Sequence, residues 1–224
     1  MSPAAAHPLD PGGSLYSLRG AVDSLWSRVA PHGRPDSQRR LLFTAAGEGH
    51  GTTTVAACAA MGLARHLRVK VCLVETGAPS LVLATLLGLE PQPGLSEVLA
   101  GEADRLQALR RTAEPDLVVM PAGKRPLEPG VLATDPAKAL FRWLGNGVDF
   151  LCFDAPPVHL ESQIRPLLWE VNQAIVVLEA GKTRKDDARA LIETIRHADV
   201  EVLGTVLNRY RPELPTWIDS DARS

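Results

Sequence analysis

The sequence lacks any apolar run long enough to cross a membrane and any excess of basic charge. A membrane-spanning helix needs about 18 or more consecutive apolar residues, and no stretch approaches that length. Lys and Arg number 24 against 26 Asp and Glu, which gives a net charge of -2. This balance does not favour nucleic acid as a partner. The first residues have neither the basic start nor the apolar run of a signal peptide, so we expect a cytoplasmic protein.

Cysteine and aromatic residues are also scarce. Cys58, Cys72 and Cys152 are widely spaced and lie in apolar stretches. Three such cysteines exclude a disulfide framework and favour a reducing compartment, where we expect them to be small buried hydrophobic residues. The four tryptophans are too scattered to form a platform for stacking bases.

The chain divides into three parts by composition. Residues 1–37 predict a mobile arm, with an amphipathic helix over residues 14–30 and a linker after it. Residues 38–212 predict one globular domain, and residues 213–224 a polar surface tail.

Within the domain, short apolar runs alternate with longer helical patterns. Continuous apolar runs are typical of strands that are covered on both faces, and parallel strands need helical crossovers between them. We therefore predict a doubly wound, mostly parallel α/β sheet flanked by helices. The predicted strands are Arg40–Ala46, Val69–Glu75, Asp116–Met120, Asp149–Asp154, Asn172–Glu179 and Glu201–Leu207, and the predicted helices are Thr52–Arg65, Pro136–Leu144 and Lys185–Ala198.

The loop after the first strand, GEGHGTTT, is the main candidate site. A glycine-rich turn that leads into a helix directs backbone N–H groups and the positive end of the helix dipole to one place, where an anion can bind. An intact phosphate loop ends in Gly-Lys-Ser/Thr, whereas this chain has His50 and Gly51 at the last two positions. A one-residue shift would bring Thr52 into the hydroxyl role. The alternative, a tight turn with no ligand, fits these residues equally well.

Several segments in order carry a resemblance to a known family. They are similar to successive motifs of the bacterial tyrosine-kinase (BY-kinase) domain. In chain order the segments are GEGHGTTTVAACAAMGLA, GLSEVLAGE, VVMPAGKRPLEP, FLCFDAPPV, AIVVLEAGKTR and VLGTVLNRY. This domain serves capsule and exopolysaccharide synthesis and belongs to the MinD/ParA-like group of P-loop ATPases. The resemblance covers residues 38–212.

The resemblance implies ATP or ADP with Mg²⁺ as ligands and a role for each matching residue. Asp154 matches the acidic residue that holds magnesium, with Thr52 as a second candidate metal ligand, and Glu75 matches the first acid of the family's other acidic motif. The implied nucleotide and phosphate-binding residues are Gly47, Glu48, Gly49, His50, Gly51, Thr52 and Thr53, together with Asn208 near the base.

The departures from the family pattern all affect phosphoryl transfer. The lysine and serine of the loop are replaced, and VETGAPSL lacks the second acid and both arginines of the family's DADLRRPSL. Phosphoryl transfer depends on positioning and on charge neutralisation, and we expect their loss to abolish useful turnover. Tyr16 and Tyr210 are the only tyrosines, so the family's C-terminal tyrosine cluster is absent as well.

These features support three hypotheses. The leading one is a degenerate BY-kinase homologue, a pseudokinase that regulates exopolysaccharide assembly by binding the cytoplasmic end of a membrane polysaccharide co-polymerase, with self-association as a further interaction. The second is an active autokinase or ATPase that uses a rearranged loop with His50 and Thr52. The third is a MinD/ParA-like positioning protein.

Five single residues have a structural interpretation beside the functional one. His50 is either an acid or base or a substitution tolerated after catalysis was lost. Asp154 is either a metal ligand or a cap for the neighbouring loop. We expect Glu75 to accept local hydrogen bonds, and His159 and His197 to be surface residues rather than metal ligands.

Overall fold

The computed structural model of the chain describes residues 39–162 and 164–210. The predicted arm, the helix over residues 14–30, Tyr16 and the tail therefore lie outside the described residues. No helix in the two described ranges has both the length and the apolar character needed to span a membrane.

The described residues form one seven-stranded sheet in the order β3-β4-β2-β5-β1-β6-β7. All neighbouring strands are parallel except the β3–β4 pair, which is antiparallel. The strands are β1 (Arg39–Ala45), β2 (Val71–Glu75), β3 (Arg110–Arg111), β4 (Leu117–Met120), β5 (Phe150–Asp154), β6 (Gln173–Glu179) and β7 (Glu201–Asn208). This arrangement confirms the predicted doubly wound, mostly parallel sheet. Six strands were predicted to within two residues at each end. The two-residue edge strand β3 was not predicted.

Helices connect the strands and cover the sheet. They are α1 (Thr52–Gly62), α2 (Val82–Leu87), α3 (Leu95–Leu99), α4 (Arg105–Ala108), α5 (Asp135–Gly145) and α6 (Lys185–Arg196). Helix α1 continues through Leu63–Leu67 as wider π-helical turns, and 3₁₀ turns occur at Val131–Ala133 and Arg165–Trp169. The three long helices match the predicted ones, and the three short helices were not predicted.

Two hydrophobic clusters pack against opposite faces of the sheet. One joins α1 to strand residues such as Leu41, Leu73 and Cys152, and the other joins α5 and α6 to their neighbours in the strands, such as Leu42, Cys72 and Phe153. Adjacent residues of a strand enter opposite clusters because successive side chains point to opposite faces. This explains why the central strands read as continuous apolar runs.

The parallel strands place their carboxyl ends at one edge of the sheet. Strand β1 ends at Ala45, β2 at Glu75, β5 at Asp154, β6 at Glu179 and β7 at Asn208. Ligands of open α/β sheets bind at this edge, so the candidate site residues meet where a site is expected.

Candidate phosphate-loop site

A cavity of about 390 Å³ opens at the carboxyl edge of the sheet. Most of the residues that the sequence predicted for the site line this cavity. His50 and Asn208 were predicted for the site but do not line it, and Arg209 lines it although it was not predicted. The predicted residues in the lining are Gly47, Glu48, Gly49, Gly51, Thr52, Thr53, Glu75 and Asp154.

The side chain of His50 is buried beneath its own loop. Only 5% of the residue is exposed, and the imidazole lies against Gly47 so closely that a Cβ at position 47 would be 2.8 Å from two ring atoms. Its Nδ1 lies 3.4 Å from Thr183 Oγ1, and its Nε2 lies 4.0 Å from Glu179 Oε2. Burial lowers the pKa of His50, although Glu179 acts in the opposite direction. The ring is therefore a neutral group held by the loop after β6.

Gly51 precedes α1 in a left-handed conformation, with φ of 87°. A Cβ at this position would lie 2.2 Å from Asn208 Nδ2, which donates a hydrogen bond to His50 O at 2.8 Å. Asn208 Oδ1 accepts from the backbone N–H of Arg209 at 2.9 Å. The amide that the resemblance assigns to the nucleotide base is therefore bonded within the protein on both sides.

Asp154 and Thr53 contact each other across the floor of the cavity. The carboxyl group of Asp154, a residue only 4% exposed, accepts a hydrogen bond from the hydroxyl of Thr53. Burial raises the pKa of Asp154 to about 7; the Thr53 bond opposes this rise and the nearby Glu75 adds to it. The hydroxyl of Thr53 thus reaches this acid, while the role of Thr52 as a metal ligand stays a prediction.

Glu75 is bonded locally, as the sequence predicted. Ser80 Oγ donates to one carboxylate oxygen at 2.9 Å and Ala122 N to the other at 3.1 Å. Burial raises the pKa of Glu75 against the effect of these two bonds. Both oxygens therefore already have donors inside the protein.

Sequence reasoning missed a charged cluster beside the loop. Glu179, at the end of β6, accepts from Arg209 Nη1 at 2.7 Å and lies 3.3 Å from Lys182 Nζ. Arg209 lowers the pKa of Glu179. Arg209 is thus a cation in the lining of the cavity, paired with a carboxylate that it shares with Lys182.

His159 and His197, which the sequence suggested are surface residues, are not among the residues that line the cavity. His197 is exposed, whereas His159 is half-buried, and its Nδ1 has no hydrogen-bond partner among the described residues. His159 therefore lies partly at the surface, in the turn after β5, with one of its ring nitrogens buried. In the part of the chain that the structure describes, no group of three or more His, Cys, Asp or Glu residues could hold a metal ion.

The fold and the loop define a P-loop-type α/β protein. No protein-family model matches the chain. The tyrosine-protein kinase CpsD of Streptococcus agalactiae is 25% identical over 181 residues, covering 80% of this chain and 79% of that protein. The kinase domain of VpsO superposes with a TM-score of 0.75 at 23% identity, covering 88% of this chain and 97% of that domain.

The chain is also similar in structure to MinD proteins. The septum site-determining protein MinD of Pyrococcus horikoshii, solved with Mg-ADP, superposes with a TM-score of 0.63 at 24% identity and covers 83% of this chain and 77% of that one. The chain is therefore similar in sequence to the BY-kinases and shares its fold with the BY-kinase domains and the MinD-like ATPases.

Proposed function

We propose that the chain is a degenerate BY-kinase homologue that regulates capsule or exopolysaccharide synthesis by binding rather than by phosphorylation. Its partner in this proposal is the cytoplasmic end of a membrane polysaccharide co-polymerase, which recruits the chain to the inner face of the membrane. The similarity to the capsule kinases supports the pathway, and the geometry of the loop supports the loss of catalysis. Residues 38–212 form the binding unit.

The position of His50 is the observation that carries the proposal. In an intact loop the lysine at this position extends to the terminal phosphates, and its charge is essential to their binding. Here the imidazole turns away from the cavity, is buried beneath Gly47 and is kept neutral by burial. The loop therefore contributes no cationic side chain to a ligand in the cavity.

The other residues present do not fit Mg-ATP either. Gly51 has no hydroxyl for a metal, and the Thr53 hydroxyl is bonded to Asp154. The acids Glu48, Glu75 and Asp154 line the cavity, and the charge of its one lining cation among the described residues, Arg209, is paired with Glu179. A triphosphate would therefore meet no unpaired cationic side chain in the described lining of the cavity.

Calorimetric titration of the full chain with ATP, with and without Mg²⁺, tests the loss of nucleotide binding. We expect no saturable heat at micromolar nucleotide and no phosphotyrosine on Tyr16 or Tyr210 after incubation. A melting curve of the same sample shows that the protein is folded. Micromolar, magnesium-dependent binding followed by phosphorylation of either tyrosine would contradict the proposal and support an active kinase.

The partner is tested separately from the nucleotide. The purified chain should bind the cytoplasmic segment of the co-polymerase from the same polysaccharide system in surface plasmon resonance, with an affinity that added Mg-ATP leaves unchanged. A cytoplasmic segment from an unrelated polysaccharide system is the matched control. Equal binding to both segments, or to neither, would contradict the assigned partner.

A further inference from the structure

The geometry points to a lock between Gly51 and Asn208 that reserves position 51 for glycine, so that the Ser or Thr of an intact phosphate loop does not fit there even when the lysine is restored. The Gly51–Asn208 lock consists of the left-handed backbone at Gly51 and the Asn208 amide bonded to the His50 carbonyl. The inference rests on the proposed function in treating the cavity as a degenerate nucleotide site. It goes further by naming the contact that prevents restoration of that site.

The first half of the lock is the backbone of Gly51. With φ of 87°, this residue lies in the left-handed region that residues with a Cβ rarely adopt and that glycine enters freely. A Cβ would also lie 2.2 Å from Asn208 Nδ2, far inside van der Waals contact. The serine of an intact loop is therefore disfavoured twice, by its conformation and by a contact that the end of the Asn208 side chain would have to shift to relieve.

The second half is the side chain of Asn208. Its Nδ2 donates to His50 O at 2.8 Å, and its Oδ1 accepts from Arg209 N at 2.9 Å. Its backbone carbonyl accepts from Ala180 N at 2.9 Å, which fixes the end of β7 to the loop after β6. The amide is thus held from both sides in the position that Gly51 leaves open.

His50 closes the loop from its other end. The imidazole fills the space beneath Gly47 and reaches Thr183 Oγ1 at 3.4 Å, so the loop is bound to the ends of both β6 and β7. Replacing His50 by lysine changes only this end. The contact between position 51 and Asn208 stays as it is.

Gly49 provides a matched control within the same loop. It also has a left-handed backbone, with φ of 71°, but a Cβ there would have no atom within 4 Å. Alanine at position 49 therefore adds the backbone strain without the contact to Asn208. The difference between G51A and G49A isolates the contact.

Thermal unfolding of G51A, G49A, N208A and the two double variants tests the lock without any nucleotide. We expect G51A to lower the melting temperature by more than G49A, and N208A to recover part of the G51A loss but none of the G49A loss. Residues in direct contact show such non-additivity, whereas separate sites add. Simple additivity of G51A and N208A would overturn the inference.

Nucleotide binding gives the second readout. The variant H50K/G51S/N208A should bind Mg-ADP at least about tenfold more tightly than H50K/G51S, a difference that corresponds to about 1.4 kcal/mol. Equal affinities, or equal absence of binding, in folded samples of both variants would overturn the role of Asn208. Binding of Mg-ATP by the unmodified chain would instead refute the proposed function and leave the unfolding result intact, so the two failures are distinguishable.

Discussion

Asp154 is a buried carboxyl group whose titration range depends on its burial. Its pKa is raised from 3.8 to about 7 because removal from water disfavours the charged form. A group whose pKa is raised on folding stabilises the protein fully below its unfolded pKa, near 3.8. That contribution is lost as the pH rises through about 7. At pH 8 the folded protein therefore bears the cost of a buried, ionised carboxylate.

Replacing Asp154 with asparagine should stabilise the protein at pH 8. The amide keeps the shape of the side chain and carries no charge to bury, so we expect the melting temperature of D154N to exceed that of the unmodified chain by several degrees. The difference should narrow at pH 5, where the acid is protonated in the folded state. Calorimetric melting curves across this range measure it.

The exposed acid Asp186 supplies the control for this prediction. Its side chain is 82% exposed, so D186N should change the melting temperature little and without a strong dependence on pH. Added Mg²⁺ should not stabilise the unmodified chain relative to D154N. A magnesium-dependent stabilisation that D154N abolishes would show instead that Asp154 is a metal ligand.

At the scale of single residues, the sequence predicted most of the positions that line the cavity but not the contacts that their side chains make. His50 and Gly51 stand out because the loop pattern fixes their places. The burial of His50 depends on Thr183 and Glu179, which are more than a hundred positions away in the chain. Arg209 follows the last strand directly, so the shared carboxyl edge of parallel strands was a signal that could have placed it beside the loop.

The first turn of α3, in the segment GLSEVL, has a structural role. Glu97 accepts hydrogen bonds from Gly94 N at 2.8 Å, Ser96 Oγ at 2.8 Å and Lys124 N at 3.0 Å. Burial by itself would raise the pKa of Glu97, but these bonds outweigh it and the pKa is lowered. The segment GLSEVL therefore joins the loop after β4 rather than the phosphate cavity.

Replacing Glu97 with alanine should destabilise the protein by about 1–3 kcal/mol, because several donors lose their acceptor. The lowered pKa means that the stabilisation is present above the unfolded pKa and is lost as the pH falls through the folded pKa. Urea unfolding at pH 7 and pH 4 measures both effects, and the loss in E97A should be smaller at pH 4.

The neighbouring acid Glu102 separates this effect from a general loss of charge. Glu102 pairs with Arg125 at the surface, where both side chains are about half exposed. Exposed ion pairs contribute about 0–1 kcal/mol, so E102A should change the unfolding free energy little. Equal losses in the two variants would refute a structural role for the α3 turn.

The elements that the sequence predicted are the long ones, and the missed ones are short. Strands such as β5 and β6 are apolar along their length because both faces are buried, and α5 and α6 have an extended amphipathic pattern. Helices α2, α3 and α4 have four to six residues each, too few for a period to show. Such short helices depend on tertiary contacts such as those of Glu97, which a local pattern does not reveal.

At the scale of the whole molecule, the sheet separates two hydrophobic clusters that share its strands. Cys72 lies in the cluster with α5 and α6, and Cys152 lies in the cluster with α1, although the two residues are on neighbouring strands. Burial raises the pKa of Cys72 to about 12 and also raises the pKa of Cys152. Each thiol therefore reports on the opening of one face of the sheet.

Both thiols should be unreactive in the folded protein and should become reactive together. A buried thiol reacts only when its surroundings open, and the sheet whose central strands carry both clusters is expected to open as one cooperative unit. Variants with one thiol each, built by replacing the other two cysteines with alanine, should be labelled by an aromatic disulfide with the same opening free energy and the same dependence on urea. A lower opening free energy at Cys152 than at Cys72 would show that the face carrying α1 and the phosphate loop unfolds by itself. That result would contradict a single cooperative core, and it would place the candidate site on the less stable side of the molecule.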